Sequence, residues 1–164
     1  MASVRFRDSL VVLAAHDVEF ILVGVLSAVM QGAPVTTFDV DVVHRRTPEN
    51  VDRLLVALNE LEAIYRGDER RIKPGSSHLI GPGHQLLQTK FGDLDCLGTI
   101  DGERTYEDLL PDSVELSLGD GHSIRALKVA ALIQIKQRAG RPKDLAALPA
   151  LRATLEELER SGRG

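Results

Sequence analysis

One cysteine, Cys96, stands in 164 residues, so no intrachain disulfide can form and no cysteine-rich zinc site can be built. There is no tryptophan, and aromatic residues make up only 4% of the chain; its core has to be aliphatic. Neither sign of charge dominates. Twenty Lys and Arg against 24 Asp and Glu leave a formal charge of −4, which supplies no general attraction to a polyanion and leaves room only for a local basic patch. The longest hydrophobic stretch, residues 20–30, is broken by Gly24 and Ser27 and falls short of the roughly 20 residues a membrane span requires. The apolar run at residues 10–15 is too short for a secretory segment. These absences lead to the expectation of a cytoplasmic chain with no membrane partner. Neither the dinucleotide pattern Gly-x-Gly-x-x-Gly nor the P-loop pattern occurs, which disfavours both chemistries. The five histidines show no zinc-ligand spacing.

What is there is a globular composition, 43% hydrophobic and 27% charged, at a length that fits one domain. The expectation is a single domain over residues 1–164, with a core over about 10–127 and a helical part over about 127–160. Phe6, Leu10, Leu13 and Ala14 recur at helical spacing ahead of a strand at 18–23, which Gly24 ends. Residues 26–31 read as a short helix closed by Gly32. Residues 38–43 alternate, with Phe38, Val40 and Val42 on one face of a strand and Asp39 and Asp41 on the other. Thr47-Pro48 is a helix start, continued by Val51, Leu54, Leu55, Leu58 and Leu61. Residues 66–84 read as an irregular charged connection, followed by strands at 85–90 and 93–97. Thr105 and Asp108 predict a capped turn, and Asp120-Gly121 predicts a hairpin between strands at 114–118 and 123–127. A helix running to Gly140 and another after Pro149 complete an α/β (α+β) pattern.

Asp39 and Asp41 are the first candidates for chemistry. Residues two apart on a strand project from the same face with roots about 6–7 Å apart, close enough for both carboxylates to reach one hard cation such as Mg²⁺, which takes oxygen ligands together with substrate phosphates. Asp95 is the expected third carboxylate, since it lies between apolar residues where an unpaired charge would be costly; it would serve as ligand or as base. Gly24 stands where a strand turns into a helix and can present backbone N–H groups to a phosphate, with Ser27 either nearby in that site or facing the core. The basic run from Lys136 to Lys143 aims Lys136 or Arg141 at a triphosphate, with Asp144 orienting one of them by an ion pair; the alternative is that these cations simply complement the helix end. His44, beyond the Asp-x-Asp strand, reads as a surface residue, and Cys96 as core.

Taken in order, Val23-Gly24-Val25-Leu26-Ser27-Ala28, Gln31-Gly32 and Thr36-Thr37-Phe38-Asp39-Val40-Asp41-Val42-Val43 resemble the opening of minimal nucleotidyltransferases of the DNA-polymerase-beta superfamily. Leu94-Asp95-Cys96-Leu97 is similar to that family's third-carboxylate strand. Lys136 with Gly140-Arg141-Pro142-Lys143-Asp144 is similar to the C-terminal motif of its abortive-infection toxin-like (AbiEii-type) branch. The resemblance covers about residues 10–150. It implies a mixed sheet flanked by helices, Mg²⁺ or Mn²⁺ at Asp39, Asp41 and Asp95, and transfer of a nucleoside monophosphate from a triphosphate such as ATP with release of pyrophosphate. Gly24 would contact phosphate, as would Lys136. The acceptor is left open among a protein, a transfer RNA and a small hydroxylated molecule, and the partners implied are an antitoxin or a second copy of the chain. The family usually places a second Gly or a Ser directly after the first Gly, where this chain has Val25. That departure keeps two alternatives in play: a catalytically inactive nucleotide-binding or toxin–antitoxin interaction module, and a metal-dependent phosphohydrolase.

Overall fold

The computed structural model describes residues 5–37 and 39–162; the expected strand position of Phe38 lies outside them. The elements follow in the order α1 Phe6–Ala15, β1 Phe20–Val23, α2 Gly24–Met30, β2 Val40–His44, α3 Pro48–Glu60, β3 Ile64–Tyr65, α4 Ser76–Leu79, β4 His84–Thr89, β5 Gly92–Leu97, α5 Tyr106–Leu109, a 3₁₀ turn Leu110–Asp112, β6 Ser113–Gly119, β7 His122–Leu127, α6 Val129–Ala139 and α7 Pro142–Arg160.

The strands form one seven-stranded mixed sheet in the order β3-β4-β5-β2-β1-β7-β6. β1 runs antiparallel to β2 and parallel to β7, and β2 runs parallel to β5. The central strands are buried on both faces, which is why β1 is a continuous apolar run, Phe-Ile-Leu-Val, rather than an alternating one. Alternation still decides which residue meets which helix layer. On one face Phe20, Leu22, Val40, Val42, Leu94 and Cys96 pack with Leu10 and Leu13 of α1 and Val51, Leu54 and Leu58 of α3. On the other, Ile21, Val23, Val43, Leu97 and Leu127 pack with Leu109, Val129, Leu132, Leu148 and Leu151 from α5, α6 and α7. Asp41 and Asp95 sit between neighbours of the first face, so the pleat assigns both to the second.

Local chemistry accounts for the element ends. The Thr47 hydroxyl accepts the Asn50 N–H at 3.3 Å, with Pro48 at the first helical position. Thr105 and Asp108 form the reciprocal capping box. Asp120 and Gly121 both take positive φ, 52° and 79°, as the tight hairpin turn between β6 and β7 requires.

Three expectations are corrected. β2 starts at Val40, with Asp39 immediately ahead of it. The last helix starts at Pro142, seven residues before Pro149, which it contains; Asp144, buried in its first turn, binds Arg141 and Lys136 and fixes the start there. The connection at 66–84 holds the short helix α4 and follows β3, whose pairing with β4 is limited to two residues.

Candidate functional site

Two registers build the centre of the site. Asp41 of β2 lies opposite Asp95 of β5 and opposite Val23 of β1. Adjacent strands are about 4.8 Å apart, so two carboxylates on the same face of neighbouring strands are forced together. The next residue after Val23 is Gly24, which opens α2 at φ +72°. A Cβ at Gly24 would stand 2.6 Å from Asp41 Oδ2, so both the backbone conformation and the close approach of the carboxylate call for glycine.

The Asp41 carboxyl is pushed up to about 7, first by burial and then by the charge and hydrogen bonding of Asp95, with Asp39 adding repulsion and Lys136 pulling the other way. A buried carboxyl beside two others is a group whose ionised form calls for a cation.

A cavity of about 420 Å³ opens from this centre between the sheet and the C-terminal helices. Gly24, Asp41, Lys136, Arg141 and Asp144 all line it, so five of the residues expected from sequence converge although the chain separates them by up to 120 positions. Leu97, Ile100, Leu132 and Ile135 supply an apolar wall. Asp144 is fully buried and receives Lys136 Nζ at 3.1 Å and Arg141 Nε at 2.6 Å. The Arg141 guanidinium, then Lys136, hold its carboxyl down at about 2. Lys136 is thereby aimed rather than free to wander, while the Arg141 side chain remains largely exposed at the mouth.

Other expected residues stand apart from this cavity. Ser27 is fully buried, and its hydroxyl donates to the Leu127 carbonyl at 2.6 Å, joining α2 to the end of β7. Val25 is half-buried and does not line the cavity. Asp39 is exposed, its N–H donating to Thr37 Oγ1 at 3.3 Å. Cys96 is buried in the core, its thiol pushed up to about 12 by burial and by the Asp95 charge. His44 is a correction: it is 1% exposed, with Nε2–H donating to the Leu79 carbonyl at 2.7 Å, and burial lowers its pKa.

The structure also adds residues that sequence reasoning missed. Arg66, read as the first residue of a charged loop, donates from Nη2 to Asp95 Oδ1 at 2.6 Å. Asp101 and Gly102, at the tip of the turn closed by the Ile100–Arg104 bridge, border the cavity, where Asp101 pairs with Arg138 of α6 and with Arg104. No local motif marks these positions, because the pairing depends on which strand lies beside which.

Among the described residues, no three His, Cys, Asp or Glu side chains form a ready metal-ligand group. What is assembled is the Asp41–Asp95 pair. That set fits a hard divalent ion of the Mg²⁺ type, which uses one or two protein carboxylates and completes its shell with water and substrate phosphate.

No protein-family model and no curated protein matches the chain. Its structure is similar to the crystal structure of TM1012 from Thermotoga maritima, described as a "putative nucleotidyltransferase", with a TM-score of 0.55 and 18% sequence identity over 92% of this chain and 90% of that one. The chain has a nucleotidyltransferase-like fold. At that identity the likeness speaks for the fold, and the nucleotidyltransferase-like sheet is the frame on which Asp41, Asp95 and Gly24 meet. No helix among the described residues is long and apolar enough to cross a membrane.

Proposed function

We propose that the chain is a metal-dependent nucleotidyltransferase that moves a nucleoside monophosphate from a nucleoside triphosphate to a hydroxyl acceptor and releases pyrophosphate. The observation that carries this reading is the direct opposition of Asp41 and Asp95 on parallel neighbouring strands, with Asp41 and the Gly24 turn lining a cavity that Lys136 also lines. The similarity of the fold to TM1012 supports it.

Asp41 and Asp95 would hold Mg²⁺ or Mn²⁺, with Asp39 joining from the entrance of β2. The bound ion supplies neutralisation of phosphate charge and stabilisation of the oxygens that enter and leave at phosphorus. The chain's own residues do the rest. Gly24, lacking a side chain, lets backbone approach the triphosphate beside Asp41. Lys136, steered by Asp144, and Arg141 at the mouth hold the negative charge of the departing pyrophosphate. Asp95, oriented by Arg66 Nη2 at 2.6 Å, would accept the proton of the acceptor hydroxyl. The apolar wall of Leu97, Ile100 and Ile135 excludes water from one side of the nucleotide.

The test is incubation of the purified chain and cell lysate with each α-labelled triphosphate plus Mg²⁺ or Mn²⁺, beside Asp39→Ala and Asp41→Ala. Label should move to an acceptor with the native chain and fail to move with either variant. Undiminished labelling in both variants refutes the ligand assignment. Free monophosphate as the product would indicate a phosphohydrolase, and bound nucleotide with no pyrophosphate would indicate a binding module.

A further inference from the structure

We infer that the chain carries a second ligand site, at the opposite end of the sheet from Gly24, which holds a free α-amino acid with a basic side chain. The inference is independent of the nucleotidyltransferase reading.

The site is a cavity of about 350 Å³ where the entrance to β1 meets α5, β6 and β7. Glu19 and Phe20 line it at the start of β1, whereas Val23 and Gly24 line the catalytic cavity at the other end. Four strand residues at about 3.3 Å each put roughly 13 Å between the two, and no residue lines both.

Tyr106 supplies the first observation. It is 8% exposed, yet among the described residues its hydroxyl makes no hydrogen bond. The oxygen is not sealed within the protein, so its open side is the cavity it lines. A tyrosine buried to this extent usually finds a partner for its hydroxyl; here the fold leaves that oxygen to a ligand. Burial raises its pKa, and Glu19, Arg45 and Arg125 are near enough for their charges to act on it as well.

The second observation is a pair of opposite charges held apart. Glu115 of β6 lies directly opposite Arg125 of β7 in the strand register, where unlike charges attract. Arg125 nevertheless donates from Nε to Ser113 Oγ at 2.7 Å and from Nη2 to the Ser113 carbonyl at 3.3 Å, which leaves Nη1. Glu115 instead accepts the Ser123 hydroxyl at 2.8 Å. Asp17, in the turn after α1, also lines the cavity, and among the described residues its carboxylate has no hydrogen bond or ion pair. Glu19 is taken by Arg45 at 2.8 Å.

The chemistry of the ligand follows from these groups. The Tyr106 hydroxyl and Arg125 Nη1 are donors suited to a carboxylate, and Asp17 and Glu115 are acceptors suited to two ammonium groups. Two carboxylates and one guanidinium without ion partners leave a charge of −1 on the lining, which a ligand with two ammonium groups and one carboxylate neutralises. Asp17 and Glu115 come from separate elements, and among the described residues no three metal-ligating side chains cluster, so the ligand is an extended organic ion rather than a metal. Val18, Phe20 and Ile124 offer apolar surface to the aliphatic stem of its side chain.

The experiment is isothermal titration calorimetry of the full-length chain with L-lysine as the probe. Two analogues are titrated beside it: cadaverine, which lacks the carboxylate, and Nα-acetyl-L-lysine, which lacks the α-ammonium as the C-terminal lysine of a peptide does. One equivalent of L-lysine should bind at millimolar concentration or below, and each analogue at least about tenfold more weakly, having lost a charge-assisted contact. Tyr106→Phe should bind L-lysine about tenfold more weakly with an unchanged Tm, because the hydroxyl has no partner within the fold; a purely structural tyrosine would move the Tm and leave the affinity alone. Asp17→Asn should show the same loss of affinity and remain folded, since asparagine tolerates the φ of +57° found there. The proposal is overturned by absence of L-lysine binding, by either analogue matching L-lysine, or by native affinity in Asp17→Asn or in a folded Tyr106→Phe.

Discussion

Replacing Asp41 with asparagine should stabilise the metal-free protein at pH 8, because the native structure holds that carboxyl where it resists ionisation. The folded pKa is raised from 3.8 to about 7 by burial and by Asp95. A raised acid binds more protons folded than unfolded through the window from about 4 to 7, so stability falls as pH rises through that window and levels off above it. Three units correspond to about 4 kcal/mol at most. Part of that belongs to the Asp41–Asp95 pair jointly and survives the substitution, which leaves about 2–4 kcal/mol. For a chain of this size, the expected rise in Tm is roughly 5–10 °C. The assay is thermal unfolding in a chelator at pH 5 and pH 8, repeated with saturating Mg²⁺. Asp41→Asn should exceed the native chain at pH 8, should gain roughly 40% as much at pH 5, and should lose its advantage when Mg²⁺ stabilises the native chain alone. An unchanged or lowered Tm at pH 8 in chelator would refute the claim that the carboxylates repel one another without a cation.

Asp144→Asn should have the opposite effect, lowering stability by about 3 kcal/mol in denaturant titration, because it leaves the mostly buried Lys136 ammonium without its partner. Asp144 is depressed to about 2 in the folded state, so its contribution is fully present above pH 4 and is lost as pH falls from about 4 towards 2, where acid unfolding should steepen. Gly24→Ala should abolish nucleotide transfer and cost about 1–2 kcal/mol in stability, since the new Cβ would stand 2.6 Å from Asp41 Oδ2 at a positive φ; calorimetric unfolding and the labelling assay measure the two effects separately. Ser27→Ala should lower stability by about 1 kcal/mol, the Leu127 carbonyl keeping its second donor Gln31 Nε2 at 2.9 Å. Nucleotide affinity should remain unaltered, as equilibrium titration would show.

Much of this site was legible because strand alternation is local and has only two outcomes. Once residues 38–43 read as a strand, Asp41 had to oppose Val40 and Val42, and the same argument placed Asp95 opposite Leu94 and Cys96. Gly24 was legible because a glycine between a strand and a helix has few other uses. Register was not legible. That Asp41 meets Asp95 and not Asp93 depends on how β2 slides along β5, and that Arg66 reaches Asp95 depends on β3 and β4 being placed outside β5. Ser27 shows the converse limit: a hydroxyl near a phosphate-type turn fits either the site or the core in sequence, and only the carbonyl of Leu127, a hundred residues on, shows where its proton goes. α7 starts at Pro142 rather than after Pro149 because Pro142 takes the first-turn position, while Leu145, whose carbonyl loses its partner to Pro149, is exposed to water.

The central claim is most directly tested by a crystal structure of the chain with Mn²⁺ and an α,β-methylene nucleoside triphosphate. The account predicts the ion's anomalous signal against Asp41 and Asp95, with the triphosphate in the cavity beside Gly24 and its terminal phosphates toward Lys136 and Arg141. Nucleotide bound elsewhere, or a metal signal distant from Asp41, would contradict it.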